Sequence, residues 1–198
     1  MLAFLQSFFD SNINPEEALA QYIYSKNKQA MSTIYNAYAN DLYHFLLTLS
    51  DADDAKDIAQ KTWLLLIEHP EKCNATGNLK SWLFKVARNA LIDEFRKTNR
   101  LQSLSDSNSA TLVEAASAET QNAALHSEQT NQQHFFGQDF DRALMSLSFN
   151  QREAFCLQQD GFSLNEIATI TSCNQETVKT RIRYAKKNLK RSLEANDE

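Results

Sequence analysis

The sequence predicts an all-α protein: two small helical domains joined by a flexible acidic linker. Three observations carry that reading. Only three glycines and two prolines occur in 198 residues, too few to punctuate a chain of many tight turns. Large apolar residues recur at helical spacing in two stretches, 18–97 and 140–191. Between them, residues 101–137 turn to Ser, Asn, Gln, Ala, Thr and acids with no lasting period, so this stretch cannot bury enough surface to offset its ordering entropy. The two units are therefore expected to sit apart, as the ends of a dumbbell.

Residues 1–17 read as an N-terminal extension, mobile or docking. Its apolar opening is interrupted by Gln6 and Ser7, lacks a preceding cation and is followed by no cleavage-like site, unlike a secretory leader. The first domain is placed at 18–100. Ile34, Tyr35, Tyr38, Leu42, Phe45, Leu46 and Leu49 keep a helical period, which predicts one long helix over about 29–50. A second helix opens at Asp53 and Asp54, where carboxylates suit the positive end of the helix dipole. It turns Ile58, Thr62, Leu65 and Leu66 inward and stops at His69-Pro70, because the residue before proline is pushed out of helical angles. Residues 71–78 read as an irregular polar loop. A third helix then sends Trp82, Leu83, Val86, Ala90, Leu91 and Phe95 inward and leaves Lys80, Lys85, Arg88, Arg96 and Lys97 exposed.

The linker is placed at 101–137, with 115–125 able to form a transient helix, the second domain at 138–192 and an acidic tail at 193–198. Residues 161–191 read as a helix-turn-helix. Ser163 and Glu166 have the spacing of a capping box, so a helix starts near 164 and buries Leu164, Ile167, Ala168 and Ile170. Asn174 is a second N-cap, and a further helix begins near 175. Val178, Ile182, Ala185 and Leu189 form its inward stripe, with Glu176, Thr180, Arg183 and Lys187 opposite. From 179 to 191 the chain holds seven cations and no carboxylate. A recognition helix enters the major groove N-terminus first, which places Gln175, Thr177, Lys179, Thr180 and Arg183 near base edges or flanking phosphates. Lys186, Lys187, Lys190 and Arg191 lie further along and suit the backbone, giving affinity without sequence choice.

A net charge of −5 fits a DNA binder only because it is segregated. Residues 51–71 hold six acids against two lysines, and 101–141 hold six acids and no base. Residues 80–100 hold six bases against two acids, and 142–191 nine against four. Basic patches suit DNA; the acidic ones need a different partner. Cys73, Cys156 and Cys173 are widely spaced with no paired motif, which fits reduced thiols in a cytoplasmic protein. His69 and Cys73 lie at i, i+4 but lack a complementary pair, so no metal or other cofactor is expected. No stretch approaches the roughly 20 apolar residues of a membrane span, and a soluble protein without membrane insertion is expected.

Three strings in series carry a resemblance. They are Asp54-Ala55-Lys56-Asp57-Ile58-Ala59-Gln60, the run WLFKVARNALID over 82–93, and the helix-turn-helix with Ser163-Leu164-Asn165-Glu166-Ile167-Ala168 and Thr177-Val178-Lys179-Thr180-Arg181. Their order and spacing resemble bacterial sigma factors, specifically the two-domain extracytoplasmic-function group of the sigma-70 family. The resemblance covers about 18–100 and 138–192. It implies a non-enzymatic subunit that binds core RNA polymerase, recognises the minus-10 and minus-35 elements of promoter DNA and helps open the duplex. By the same resemblance Asp54, Asp57 and Gln60 contact the polymerase, with Lys61 where the family commonly has an acid. The loop at 69–79 offers Asn74, Thr76 and Asn78 to a flipped base, since melting must be offset by captured single strand. Lys80, Lys85, Arg88 and Asn89 would hold phosphates of the opened strand. Trp82 reads as core, while Phe84 stays open as a stacking platform. Gln175, Thr177, Lys179, Thr180, Arg183 and Lys187 would serve the minus-35 element, and the linker would thread the RNA channel. An anti-sigma factor is a further family expectation.

Two other readings compete. A stand-alone helix-turn-helix regulator accounts for 161–191 but leaves the 82–93 helix and the acidic second helix unexplained. A magnesium-dependent nucleotide hydrolase could use Asp51, Asp53, Asp54 and Asp57, yet there is no second acidic helix, adjacent His-Asp pair or glycine-rich phosphate loop to complete it.

Overall fold

The computed structural model describes residues 13–74, 78–105 and 137–194. Every regular element among them is a helix: α1 Pro15–Ser25, α2 Lys28–Leu49, α3 Ala52–Glu68, α4 Glu71–Asn74, α5 Leu79–Ser105, α6 Gln138–Met145, α7 Phe149–Gln159, α8 Leu164–Thr171 and α9 Gln175–Glu194. Among the described residues no helix is long and apolar enough to cross a membrane.

Local chemistry sets most of these boundaries. Pro15 occupies the first position of α1, where its missing N–H costs nothing, and the Asn14 side chain accepts from the Glu16 amide at 3.1 Å. Asn27 caps α2 in the same way through the Gln29 amide at 2.9 Å. For α3 the cap is Asp51, whose carboxylate accepts from the amides of both Asp53 (3.0 Å) and Asp54 (2.9 Å). His69 ends α3 just before Pro70, as the pre-proline restriction requires.

In the first unit α2 packs on α1, α3 and α5, and α3 packs on α5. Ile34, Leu42, Phe45, Leu46 and Leu49 of α2 are buried, as are Ile58, Thr62 and Leu66 of α3 and Trp82, Leu83 and Leu91 of α5. Tyr35 departs from its expected inward face: it is half exposed and lies against Trp63, ring centroids 4.9 Å apart. Phe84 is fully buried between Phe45 at 5.1 Å and Phe162 at 4.9 Å, which removes it as a stacking platform for bases.

Several expected boundaries move. The polar stretch after Pro70 contains α4, held over buried Cys73. Helix α1 begins inside the stretch read as an N-terminal extension, because Ala18, Leu19 and Tyr22 pack inward and the Tyr22 hydroxyl donates to the Ile67 carbonyl at 3.3 Å. Helix α5 continues to Ser105, past the expected start of the linker. Residues 1–12, Thr76, the transient helix at 115–125 and the end of the acidic tail lie outside the described residues.

The dumbbell expectation is overturned. Helix α5 packs against α8 and α2 against α7, and one core cluster runs from Ala18 and Leu91 in the first unit through Ala154, Leu157, Phe162, Ile167 and Ile182 in the second. A smaller cluster of Ala143, Leu144, Leu147, Ala185 and Leu189 fixes α6 to the far half of α9. The reason is a surplus of apolar surface: α7 and α8 are too short to enclose Leu157, Phe162 and Ile167 alone, and the neighbouring face of α5 completes their burial.

Candidate nucleic-acid interface

The helix-turn-helix forms as its caps dictate. Ser163 accepts from the Glu166 amide through its hydroxyl at 3.3 Å, and the Glu166 carboxylate accepts from the Ser163 amide at 2.8 Å, a complete capping box. The Ser163 hydroxyl also donates to the Glu166 carboxylate at 2.6 Å, and this bond, followed by the one from the Ser163 amide, holds the Glu166 carboxyl below its usual range. Upstream, Gly161 sits at φ +86 and closes α7 with paired bonds, Phe162 N–H to Leu157 O and Gly161 N–H to Gln158 O. Ser172 adopts a left-handed φ of 53 in the turn, and Asn174 caps α9 by accepting from the Thr177 amide at 2.7 Å.

Burial of Val178, Ile182, Ala185 and Leu189 fixes the rotation of α9. Gln175, Lys179, Thr180, Arg183 and Lys187 are consequently exposed, with Thr177 half-buried at the edge. Gln175 donates to Asn165 of α8 at 3.2 Å, Lys179 pairs with Glu176 at 2.7 Å, and the Arg183 guanidinium lies 5.3 Å from the Tyr184 ring. The Lys179 pair is solvent-exposed and readily exchanged for another anion. Arg181 differs from the other cations of the helix: it is half-buried and points its guanidinium at the Cys173 sulfur, 3.6 Å away.

The first-unit candidates are placed differently. Lys80, Lys85 and Arg88 are not exposed as expected. The Arg88 Nε donates to Glu153 of α7 at 2.7 Å, with side-chain exposures of 14% and 0%. Burial pushes the Glu153 carboxyl upward even against the pull of Arg88. Lys80 donates to the Asp160 carbonyl at 2.8 Å, pairs with Asp41 at 3.3 Å and lies over the rings of Phe84 and Phe162. Asn78 caps α5 through the Ser81 amide at 2.9 Å while its side-chain N–H donates to Glu166 at 2.7 Å. Lys85 lines an open cleft with Asn165, Thr169, Cys173 and Gln175. Asn89 is exposed, and Asn74 ends α4.

A separate acidic face is formed by α3. Asp57 and Gln60 are exposed and share a side, and Asp54 is half-buried with its carboxyl raised, chiefly by burial and then by Asp51. Beside them Tyr35, Tyr43, Lys56, Ala59, Gln60 and Trp63 line a shallow apolar groove between α2 and α3. Tyr35 was missed as a surface feature because it falls within the helical apolar period that also marks core, whereas Trp63 beneath it is buried.

Comparison with known proteins gives a consistent pattern. Residues 34–101 match the Sigma-70 region 2 family model and residues 137–189 the Sigma-70 region 4 model. The ECF RNA polymerase sigma factor SigL of Mycobacterium tuberculosis is 30% identical over 172 residues, covering 83% of this chain and 89% of the relative. The ECF RNA polymerase sigma factor EcfG of Rhodopseudomonas palustris is 30% identical over 147 residues, covering 73% and 75%. Among solved structures, the sigma factor RpoE of Bartonella quintana, in complex with the anti-sigma factor NepR, superposes with a TM-score of 0.63 at 30% identity, covering 82% of this chain and 96% of that one.

Proposed function

Because this chain belongs to the extracytoplasmic-function group of the sigma-70 family of RNA polymerase sigma factors, we infer a division of labour among its surfaces. The protein binds core RNA polymerase and directs promoter-specific transcription initiation. In our reading α9 recognises the minus-35 element, with Gln175, Thr177, Lys179, Thr180 and Arg183 at the groove and Lys187 on the backbone. The observation that carries this is the outward arc of α9, which presents lysines and arginines to solvent while its apolar stripe is locked inward. Cations so placed neutralise phosphates and release counterions.

The minus-10 element falls to the start of α5 and the loop before it: Asn74, Thr76 and Asn78 for an unstacked base, and Lys80, Lys85, Arg88 and Asn89 for the opened strand. Asp54, Asp57 and Gln60 on α3 meet the polymerase. The protein works as a cytoplasmic initiation factor without catalytic chemistry of its own, and the RpoE complex supports regulation by an anti-sigma factor.

Run-off transcription with purified core enzyme on a promoter library tests the reading: specific transcripts should appear only when the chain is added. Asp57→Arg should lower core-enzyme affinity at least about tenfold in a pull-down, through like-for-opposite charge exchange at the contact. A chain that binds duplex sites equally well with and without core enzyme would instead be a stand-alone regulator.

A further inference from the structure

We propose that Asn165 of α8 is a positioning residue for minus-35 recognition: it fixes the amide of Gln175 so that this side chain reads an adenine and rejects a guanine. The inference rests on the reading above that the start of α9 enters the groove at that element.

The observation is a bond across the turn. Gln175 Nε2 donates to Asn165 Oδ1 at 3.2 Å, joining the first residue of α9 to the second of α8. Both ends of this bond stand on fixed backbone. The capping box at Ser163 sets the first turn of α8, and the Thr169 hydroxyl donates to the Asn165 carbonyl at 3.0 Å one turn on. Asn174 caps α9 by accepting from the Thr177 amide at 2.7 Å, and Ile167, Ala168 and Val178 belong to one buried cluster beneath the two helices. Asn165 and Gln175 themselves are exposed and line an open cleft with Thr169 and Ser172. The adjacent carboxylate of Glu176 is taken up by Lys179 at 2.7 Å, so Asn165 is the acceptor that the Gln175 amide meets.

A primary amide carries two N–H donors on its nitrogen and one carbonyl acceptor. The bond to Asn165 uses one N–H and decides which end of the Gln175 amide is nitrogen. A donor and an acceptor remain for the base, the pattern that matches adenine N7 and N6–H2 in the major groove. Guanine presents two acceptors, N7 and O6, on the same edge, so a Gln175 held in this sense sets its carbonyl oxygen against one of them. An amide free to turn about its last bond has no such bias, since its nitrogen can swing over the base and donate to guanine. Holding the side chain beforehand also reduces the freedom lost on binding. Asn165 keeps its own N–H groups for a phosphate oxygen at the groove edge, which ties the base contact to the register of the backbone.

The test uses the full chain in complex with core enzyme, on a promoter that is active in run-off transcription. Each base pair of its minus-35 element is replaced in turn by the other three, and holoenzyme affinity is read by competition. At one base pair the wild-type chain should prefer adenine over guanine by about tenfold, the scale of a bidentate base contact, and Gln175→Ala should erase that preference. Asn165→Ala should reduce it to about threefold or less at that pair and leave the preferences at the other pairs unchanged. Asn165→Asp keeps an acceptor oxygen in the same place and adds a charge that repels phosphate. It should weaken binding to all sequences alike yet retain the adenine preference. A merely structural Asn165 would lower affinity uniformly in Asn165→Ala, and that result overturns the proposal. So does an adenine preference that is absent from the wild-type chain, unchanged in Asn165→Ala or lost in Asn165→Asp. The sigma reading fails separately: no transcript from any promoter sinks it together with this inference, whereas normal promoter use with a preference independent of Asn165 sinks the positioning role alone.

Discussion

Arg88 shows why single side chains in this protein have to be read through their partners. Its helix phase and charge mark it as a phosphate contact, but the carboxylate it meets lies 65 residues away in sequence, and no local pattern announces such a pair. Lys179 and Arg183 are the opposite case, because phase alone determines their exposure. Lys179→Ala and Arg183→Ala should each weaken minus-35 binding and lower the salt slope of log affinity by about one, with core-enzyme pull-down unchanged; fluorescence anisotropy across a salt series reads both. Asp160 offers a pH test. Burial raises its carboxyl to about 7, with Asp41 adding to the rise and Lys80 opposing it. The folded chain therefore binds this proton more tightly than the unfolded chain. The penalty of ionising Asp160 is absent below its unfolded pKa and grows as pH rises through the folded value. The loss in denaturation midpoint between pH 5 and pH 8 should be smaller in Asp160→Asn than in the wild-type chain, measured by urea unfolding with Lys80 and Asp41 intact.

At the scale of elements, the helix-turn-helix follows from its punctuation. Ser163, Glu166 and Asn174 define two starts, and the apolar stripe of α9 defines its rotation. Ser163→Ala removes one arm of the capping box and should cost about 1 kcal/mol, a fall of roughly 2–4 °C in melting temperature for a chain of this size. Calorimetry reads the shift, and Ser163→Thr should largely restore it. Among the features that eluded the sequence, α4 has only 4 residues and a polar composition, α5 continues to Ser105 beyond the last strong apolar position, and α1 begins within the stretch read as an extension. Asp51 was not singled out as the cap, because Asp53 and Asp54 also fit the start of α3 and only the observed bonds identify it.

At the scale of the whole molecule, the two units share a core, so they should unfold together. Trp63 and Trp82 report on the first unit and far-ultraviolet circular dichroism on both; their urea transitions should coincide for the wild-type chain. Phe84→Ala cuts the line from Phe45 to Phe162 and should cost about 3–5 kcal/mol, shifting both signals; a shift confined to tryptophan fluorescence would mean that the units are independent. The sequence by itself determined that the chain is helical, where the principal helices start, which face of α9 carries cations and which family the motifs resemble. Those features depend on spacings of three or four residues and on caps a few atoms away, so they are written locally. Only the tertiary structure decided that Asn78, Lys80 and Arg88 of the first unit are engaged by the second and that the two bundles share a core. That outcome depends on Asn78 meeting Glu166 and Arg88 meeting Glu153, across 88 and 65 residues, where burial of surplus apolar surface, rather than any local code, brings the groups together.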